Sequence, residues 1–398
     1  MTLNEHWILP QGIEEALPDQ AAGLEYLRRS LLDLYTSWGY EIVMPPFIDH
    51  IESLLTGTGR DLDLQTFKLV DQLSGRTLGI RADMTPQVAR IDAHQLHREG
   101  PTRLCYIGTV LHTRSDSFGS SRSPLQVGAE LYGHAGVESD VEILNLMLKT
   151  FEVTGVNEVF LDIGNVDVYK NLARQAGLDQ EDEIRLFELL QHKAVTEIAQ
   201  LLRSLSIDSS IAAMIAELAE LNGDLSTLTA AREQLKAGGN EVLNAIAYLE
   251  QVAQGVDVHK LNIGINIDFA ELHGYHYHTG VVFGAFVPQL GQEIARGGRY
   301  DDIGRIFGRA RPAPGFSTDL KQLLQLSTCD IQLPQRVLAP ADDDETLTQK
   351  IDSLRSEGFC VTRLLPGQAG DAGARGADLR LELIDAQWQL TSISGNSG

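Results

Sequence analysis

Three groups of side chains have types and spacings suited to chemistry. His273, His276 and His278 lie close together, and a His-x-His step puts two imidazoles on one side of an extended segment, as zinc sites require. No cysteine and no third ligand block lies nearby, which argues against a metal. LQVGAELYG (125 to 133) alternates, with Leu125, Val127, Ala129 and Leu131 on one side and Gln126, Gly128, Glu130 and Tyr132 on the other. Such a strand either turns Gln126 and Glu130 to solvent or sets them against a polar ligand. Arg305, Arg309 and Arg311 sit in a glycine- and proline-rich loop that could hold one phosphate-sized anion or simply be solvated. His94 and His97, about one helical turn apart, read as a solvated pair.

The elements that must position these groups follow from periodicity. Leu24, Leu27, Leu31, Leu34 and Trp38 recur at three- and four-residue steps, predicting a long amphipathic helix ended at Gly39. A short strand EIVMP follows and stops at Pro45-Pro46. RTLGIRAD (76 to 83), a helix from Thr85 to about Arg98 and a strand LCYIGTVLHT (104 to 113) come next, with SDSFGSSRS a turn. Residues 166 to 256 read as several short helices, before strands return at LNIGINIDFAELHG and YHTGVVFGAFV. GGRYDDIGRIFG and PAPGFSTDLKQLLQL close the domain with a turn, a strand and a helix, and from about 332 a small β-α-β unit begins. The GQAGDAGARGAD run is compositionally biased.

Composition narrows the function classes. The chain has 398 residues, 32 Lys+Arg against 55 Asp+Glu, and a formal net charge of -23, opposite to what phosphate contacts on a nucleic acid want. Its last part is acidic too, with 6 basic against 11 acidic residues from Asp330 onward. Three scattered cysteines, Cys105, Cys329 and Cys360, fit neither a disulfide framework nor a zinc ribbon. No basic leader and no membrane-length apolar stretch is found, so a cytoplasmic protein is expected. Neither the Ser-rich loop nor GGRY is a phosphate cradle leading into a helix, so a P-loop or dinucleotide fold is not supported and no cofactor is expected.

Taken in order, GYEIVMPP, IRADMT, YIGTVLHTR, LQVGAELYG, LHGYHYHTG and GGRYDD with PGFSTDL resemble the class II aminoacyl-tRNA synthetase core of the histidyl type. The resemblance implies an α+β fold. Residues 1–325 would form a six- or seven-stranded antiparallel sheet core with a helical insertion at about 166–256, and 332–398 a small C-terminal α/β domain. It also implies self-association as a dimer through the first helix and the strand up to Pro45. On the amino-acid side, Asp83, Thr85 and Gln126 match the positions that hold the amino group, and Glu130 the position facing the imidazole. Of the tyrosine pair closing the imidazole end, Tyr277 is kept and His278 replaces its neighbour, with Tyr275 a possible substitute. His273 occupies the place of the second catalytic arginine.

The phosphate side departs from the pattern. A carboxylate attacking the α-phosphate of ATP needs guanidinium forks around the anionic centre. His112 stands at the arginine of the second motif, followed by Arg114 where an acidic residue belongs. His273 replaces the second catalytic arginine, Gln322 the nucleotide-stacking arginine, and Asp319 a glycine. An alignment slip of one or two residues would place Arg114 at the first position and rescue that one alone. Losing a single preorganised donor costs about 10²–10³ in rate.

A kept histidine pocket without adenylation arginines resembles the family of ATP phosphoribosyltransferase regulatory subunits. Membership would imply a chain with no catalytic activity of its own, working in histidine biosynthesis. It would join a short-form catalytic subunit in a hetero-octamer, activate it, and transmit allosteric feedback inhibition by bound histidine. Closure of the 273 to 280 loop would carry the change to a subunit interface. Neither membrane nor tRNA is an expected partner. An active histidyl-tRNA synthetase-like enzyme and a stand-alone amino-acid sensor remain the alternatives.

Overall fold

The computed structural model describes residues 7–55, 59–115, 121–257, 262–271, 277–368 and 376–393, with backbone alone at 59–61. His273, Tyr275 and His276 lie outside the described residues, as does most of the GQAGDAGARGAD run.

The first helix, Pro18–Ser37, starts with proline in its first turn, where a missing N–H costs nothing. Leu24, Leu27 and Leu31 are buried on one stripe, and Leu34 and Trp38 pack beside them. Gly39, at φ +82, turns the chain out of the helix in a conformation only glycine adopts freely. Tyr35 completes the stripe. It is fully buried and shares a 3.0 Å hydrogen bond with Thr150 of the helix Val137–Thr154.

These helices cover one face of a nine-stranded sheet. Its spatial order is Glu41–Ile42, Thr102–Thr109, Leu125–Tyr132, Pro314–Asp319, Glu293–Arg299, Val281–Phe286, Glu158–Asn165, Asn262–Asp268 and Asn222–Gly223. The expected antiparallel sheet of six or seven strands is present, extended by short edge strands and with two parallel pairings. Glu41–Ile42 runs parallel to Thr102–Thr109, and Glu158–Asn165 parallel to Asn262–Asp268. A parallel pair needs a long crossover, and the helical insertion between Asn165 and Asn262 supplies it.

The insertion comprises six α-helices, from Val166–Ala176 to Gly239–Gly255. Side-chain caps start several of them: Asn165 accepts from Asp167 N, Asp179 from Asp182 N, and Asp208 from Ser210 N. Two polar locks fasten it to the sheet. Tyr248 donates to Asp140 at 2.6 Å, and Asp140 forms a buried ion pair with Arg299. Lys170 Nζ donates to the carbonyl of His278 at 2.6 Å.

The helix predicted from Thr85 to Arg98 is instead α-helical over Thr85–Arg90 and π-helical over Ile91–Leu96, ending at His97 with φ 48. Such wide turns recur at functional sites, and here the wide turn carries Asp92, which is 1% exposed. His94 and His97 are both exposed.

The chain divides into two compact units, Met1–Cys329 and Asp330–Gly398. The smaller has the expected β-α-β start, Arg336–Ala339, Glu345–Ser356 and Cys360–Arg363. It adds a hairpin, Leu379–Ile384 with Gln387–Ser392, that the sequence does not announce. Its turn residues, Asp385 and Ala386, both have positive φ (49 and 62), yet lack the Asn-Gly or Asp-Gly signature of such turns. Among the described residues, no helix is long and apolar enough to cross a membrane.

Candidate functional site

The strand Leu125–Tyr132 is paired along both edges, to Thr102–Thr109 and to Pro314–Asp319, and both its faces are buried. Val127, Ala129 and Leu131 enter the main core. The other face is buried as well: Gln126 is 9% and Glu130 1% exposed. The solvent-facing alternative for these two residues is therefore excluded by geometry.

Gln126 and Asp83 form one end of the site. Gln126 Nε2 donates to Asp83 Oδ1 at 2.7 Å, and its Oε1 accepts from Met84 N at 2.9 Å. Asp83 Oδ1 also accepts from Thr85 N at 3.1 Å. The amide orientation is thus set by two partners, and a half-buried carboxylate is aimed at the opening, as an ammonium group requires.

Glu130 forms the other end. Tyr106, on the neighbouring strand, donates to Glu130 Oε1 at 3.0 Å and shares a 3.0 Å hydrogen bond with Thr85 Oγ1. Glu130 Oε2 has no hydrogen-bond partner, and neither do the buried hydroxyls of Tyr132, Tyr277 and Tyr300. Buried polar atoms are nearly always satisfied, so four orphans in one region mark a place prepared for a polar ligand. Two glycines make the room: a Cβ at Gly315 would collide with Glu130 and with the Tyr300 hydroxyl, and one at Gly128 with Tyr106. The Tyr277 and Tyr300 rings lie 5.2 Å apart at 33°, with His278 edge-on to Tyr277 at 5.5 Å. Burial pushes the Glu130 carboxyl well above the usual carboxylate range, and nearby Asp83 adds to the shift. Burial likewise raises the phenols of Tyr106, Tyr132 and Tyr277.

Asp83, Thr85, Gln126, Glu130 and Tyr277 are thus brought together, while His273 and Tyr275 lie outside the described residues. Tyr106, Tyr132 and Tyr300 join the site without having been singled out. Tyr132 was visible in the alternation, on the side of Glu130. Tyr300 stands within GGRYDD, where nothing in the local pattern distinguishes a site tyrosine from a core one.

Beside this site a cavity of about 600 Å³ is lined by, among others, Glu14, Asp83, Glu293, Asp319, Arg296 and Lys321. His112 and Gln322 line it too, and Arg114 does not; Arg114 is exposed. His112 Nε2 lies 2.9 Å from the carbonyl oxygen of Ala82. Both cations are engaged: Arg296 pairs with Glu293 at 3.2 Å, and Lys321 donates to Ser123 O at 2.8 Å. Asp319 caps the helix Leu320–Leu326, accepting from Lys321 N at 3.0 Å and from Leu125 N at 2.9 Å, and burial raises its carboxyl.

The three loop arginines do not form an anion site. Arg311 is buried against Asp92, Arg309 faces Glu99 at 3.4 Å and Arg305 faces Asp302 at 2.6 Å. Each faces its own carboxylate. Of the three histidines considered for zinc, His278 alone is described, and among the described residues no group of three metal-ligating side chains occurs.

Comparison with known proteins fits this geometry. The histidyl-tRNA synthetase family model matches residues 12–323, and the model of the ATP phosphoribosyltransferase subunit HisZ C-terminal domain matches residues 334–391. The chain is 56% identical to the ATP phosphoribosyltransferase regulatory subunit of Thioalkalivibrio sulfidiphilus, over 99% of this chain and 100% of the relative. It is 52% identical to that of Alkalilimnicola ehrlichii, over 98% and 97%. In fold it is similar to a regulatory subunit/histidyl-tRNA synthetase from Bacillus halodurans (TM-score 0.81, 24% identity, 93% of this chain and 95% of that one). It is also similar to histidyl-tRNA synthetase from Nostoc sp. PCC 7120 (TM-score 0.77, 18% identity, 97% of each). With near-complete coverage at more than half identity, and a C-terminal unit matched by the HisZ model, this chain belongs to the family of ATP phosphoribosyltransferase regulatory subunits.

Proposed function

We propose that the chain is a non-catalytic histidine receptor that joins the short catalytic subunit of ATP phosphoribosyltransferase, activates it and transmits feedback inhibition in histidine biosynthesis. One observation carries the reading. The amino-acid end keeps Asp83, Gln126 and Glu130 together in a partly unsatisfied site, while the adjoining cavity, which Asp83 also lines, adds Glu14, Glu293 and Asp319 against two cations, among the described residues, that are already engaged. A triphosphate entering that cavity meets repulsion where adenylation needs guanidinium forks.

Histidine regulates only if it binds one arrangement of the assembly more tightly than another. Tyr277 and His278 carry that difference in this reading, which the bond from Lys170 of the insertion to the His278 carbonyl supports. Dimerisation through the first helix and the segment up to Pro45 is supported by large apolar side chains left exposed there, Ile42 at 44% and Met44 at 80%.

Co-purification with a small phosphoribosyltransferase from native extract tests the partner. Calorimetry of histidine binding to the wild type and to Glu130→Ala tests the receptor: binding to the wild type and its loss in the variant are expected, and unchanged affinity overturns the site.

A further inference from the structure

We propose that the pocket around Glu130 carries its own proton and hands it to the ligand, so that it selects an amino acid whose side chain ends in a base and holds that side chain as a cation. This rests on the histidine reading and adds to it how the side chain is recognised.

The geometry begins with a carboxyl group that is 1% exposed and joined to no lysine or arginine among the described residues. The groups facing it among the described residues are phenols, acids and the Thr85 hydroxyl. Tyr106 donates from the adjoining strand, Tyr132 follows on its own strand, and Tyr300 approaches over Gly315. Tyr277 and Asp83 act on it from two other segments. The buried arginines Arg299 and Arg311 are committed elsewhere, to Asp140 and to Asp92. A buried carboxylate without a counter-ion neutralises itself instead of staying charged. Glu130 in the ligand-free site is therefore a carboxylic acid, with a proton to give and one oxygen unpaired.

A neutral imidazole presents a ring nitrogen lone pair to that acid. The O–H bond of Glu130 breaks, an N–H bond forms on the ring, and a carboxylate–imidazolium pair results with no proton gained or lost. The pair satisfies Oε2, and a charge-assisted bond in a dry site is stronger than a neutral one. The second ring N–H can then donate to one of the unpartnered phenols. A side chain of the same shape that is not a base leaves Oε2 and the phenols unsatisfied, which is the situation in which binding sites discriminate most strongly.

Free imidazole is neutral above about pH 6.5, so proton counting separates the possibilities. Calorimetry of the full chain with L-histidine at pH 7.5, in phosphate and in Tris, reads the protons exchanged from the difference in observed heat. Zero is expected at pH 7.5, rising to release of nearly one at pH 5.5, where the ligand arrives charged. Uptake of one proton at pH 7.5 would mean an ionised Glu130 in the free protein and overturns the proposal. The ¹⁵N resonances of ring-labelled bound histidine should be those of imidazolium at pH 7.5, and neutral-ring resonances overturn it as well. Thiazolylalanine, a far weaker base, should bind at least about 100-fold less tightly, the loss expected for a site left with unpaired polar groups. If histidine gives neither heat nor a bound resonance, the receptor reading fails and the proposal with it; binding of a neutral ring fails the proposal alone.

Discussion

Arg311 and Asp92 form an ion pair inside the protein, in which the single nitrogen Nη1 of Arg311 lies 2.8 and 3.0 Å from the two carboxylate oxygens. Arg311 also donates to the carbonyl of Gly100, so one guanidinium clamps the π-helical turn onto the chain entering the strand Pro314–Asp319. That clamp stands behind Tyr132, whose phenol is affected by Asp92 as well as by Glu130.

Removing one partner of this pair leaves a buried charge alone. Asp92→Ala should lower stability by about 3–5 kcal/mol in urea unfolding, while the double replacement Asp92→Leu with Arg311→Met should cost much less. Equal losses in the single and double variants would mean that packing, not charge, holds the turn.

The raised carboxyl of Glu130 makes stability depend on pH with a definite sign. Its folded state holds a proton that the unfolded chain, with an ordinary carboxyl of 4.5, has lost. Between the unfolded and the folded value, stability therefore falls as pH rises, by about 1.4 kcal/mol per pH unit for a single group. Glu130→Gln removes that dependence. The variant should be at least as stable as the wild type at pH 8, with the advantage gone below about pH 4; a constant gap across the range would contradict the assignment.

Gly315→Ala should abolish ligand binding before it abolishes folding. The added methyl would push on Glu130 and Tyr300 in the space between them. Overpacking of that kind costs about 1–3 kcal/mol, tolerable in a domain of this size. Histidine affinity should fall at least about tenfold, read by calorimetry alongside a circular dichroism melt; retained affinity would place the ligand elsewhere.

Histidine-dependent exchange of pyrophosphate into ATP should be absent. The expectation follows from His112 and Gln322 at the cavity and from the engagement of Arg296 and Lys321 by groups of the protein itself. Exchange above background would establish a synthetase instead.

Much of the site was legible because strand periodicity and motif order are local. The alternation of Gln126 and Glu130 placed them on one side of a strand, and the block order placed that strand within a known kind of core. What alternation could not decide was whether that side met water, since burial depends on distant groups packed over it, Asp83 and Met84 at Gln126 and Tyr106 and Tyr300 at Glu130. The loop arginines failed for the same reason. Their spacing allowed a shared anion, but Arg311 finds Asp92, 219 residues away in sequence, at the far side of a fold.

By itself the sequence determined the first helix and the run of short helices after residue 166, matters of residue type and short-range spacing, while the residues missing from the phosphate side are what the resemblance to the histidyl-type core implies. Tertiary structure alone decided the parallel pairings, the π-turn, the C-terminal hairpin and the gathering of Tyr106, Tyr132, Tyr277 and Tyr300 about Glu130. Those depend on which distant segments exclude water from one another, and a buried acid with no cationic partner among the described residues exists only once that exclusion is complete.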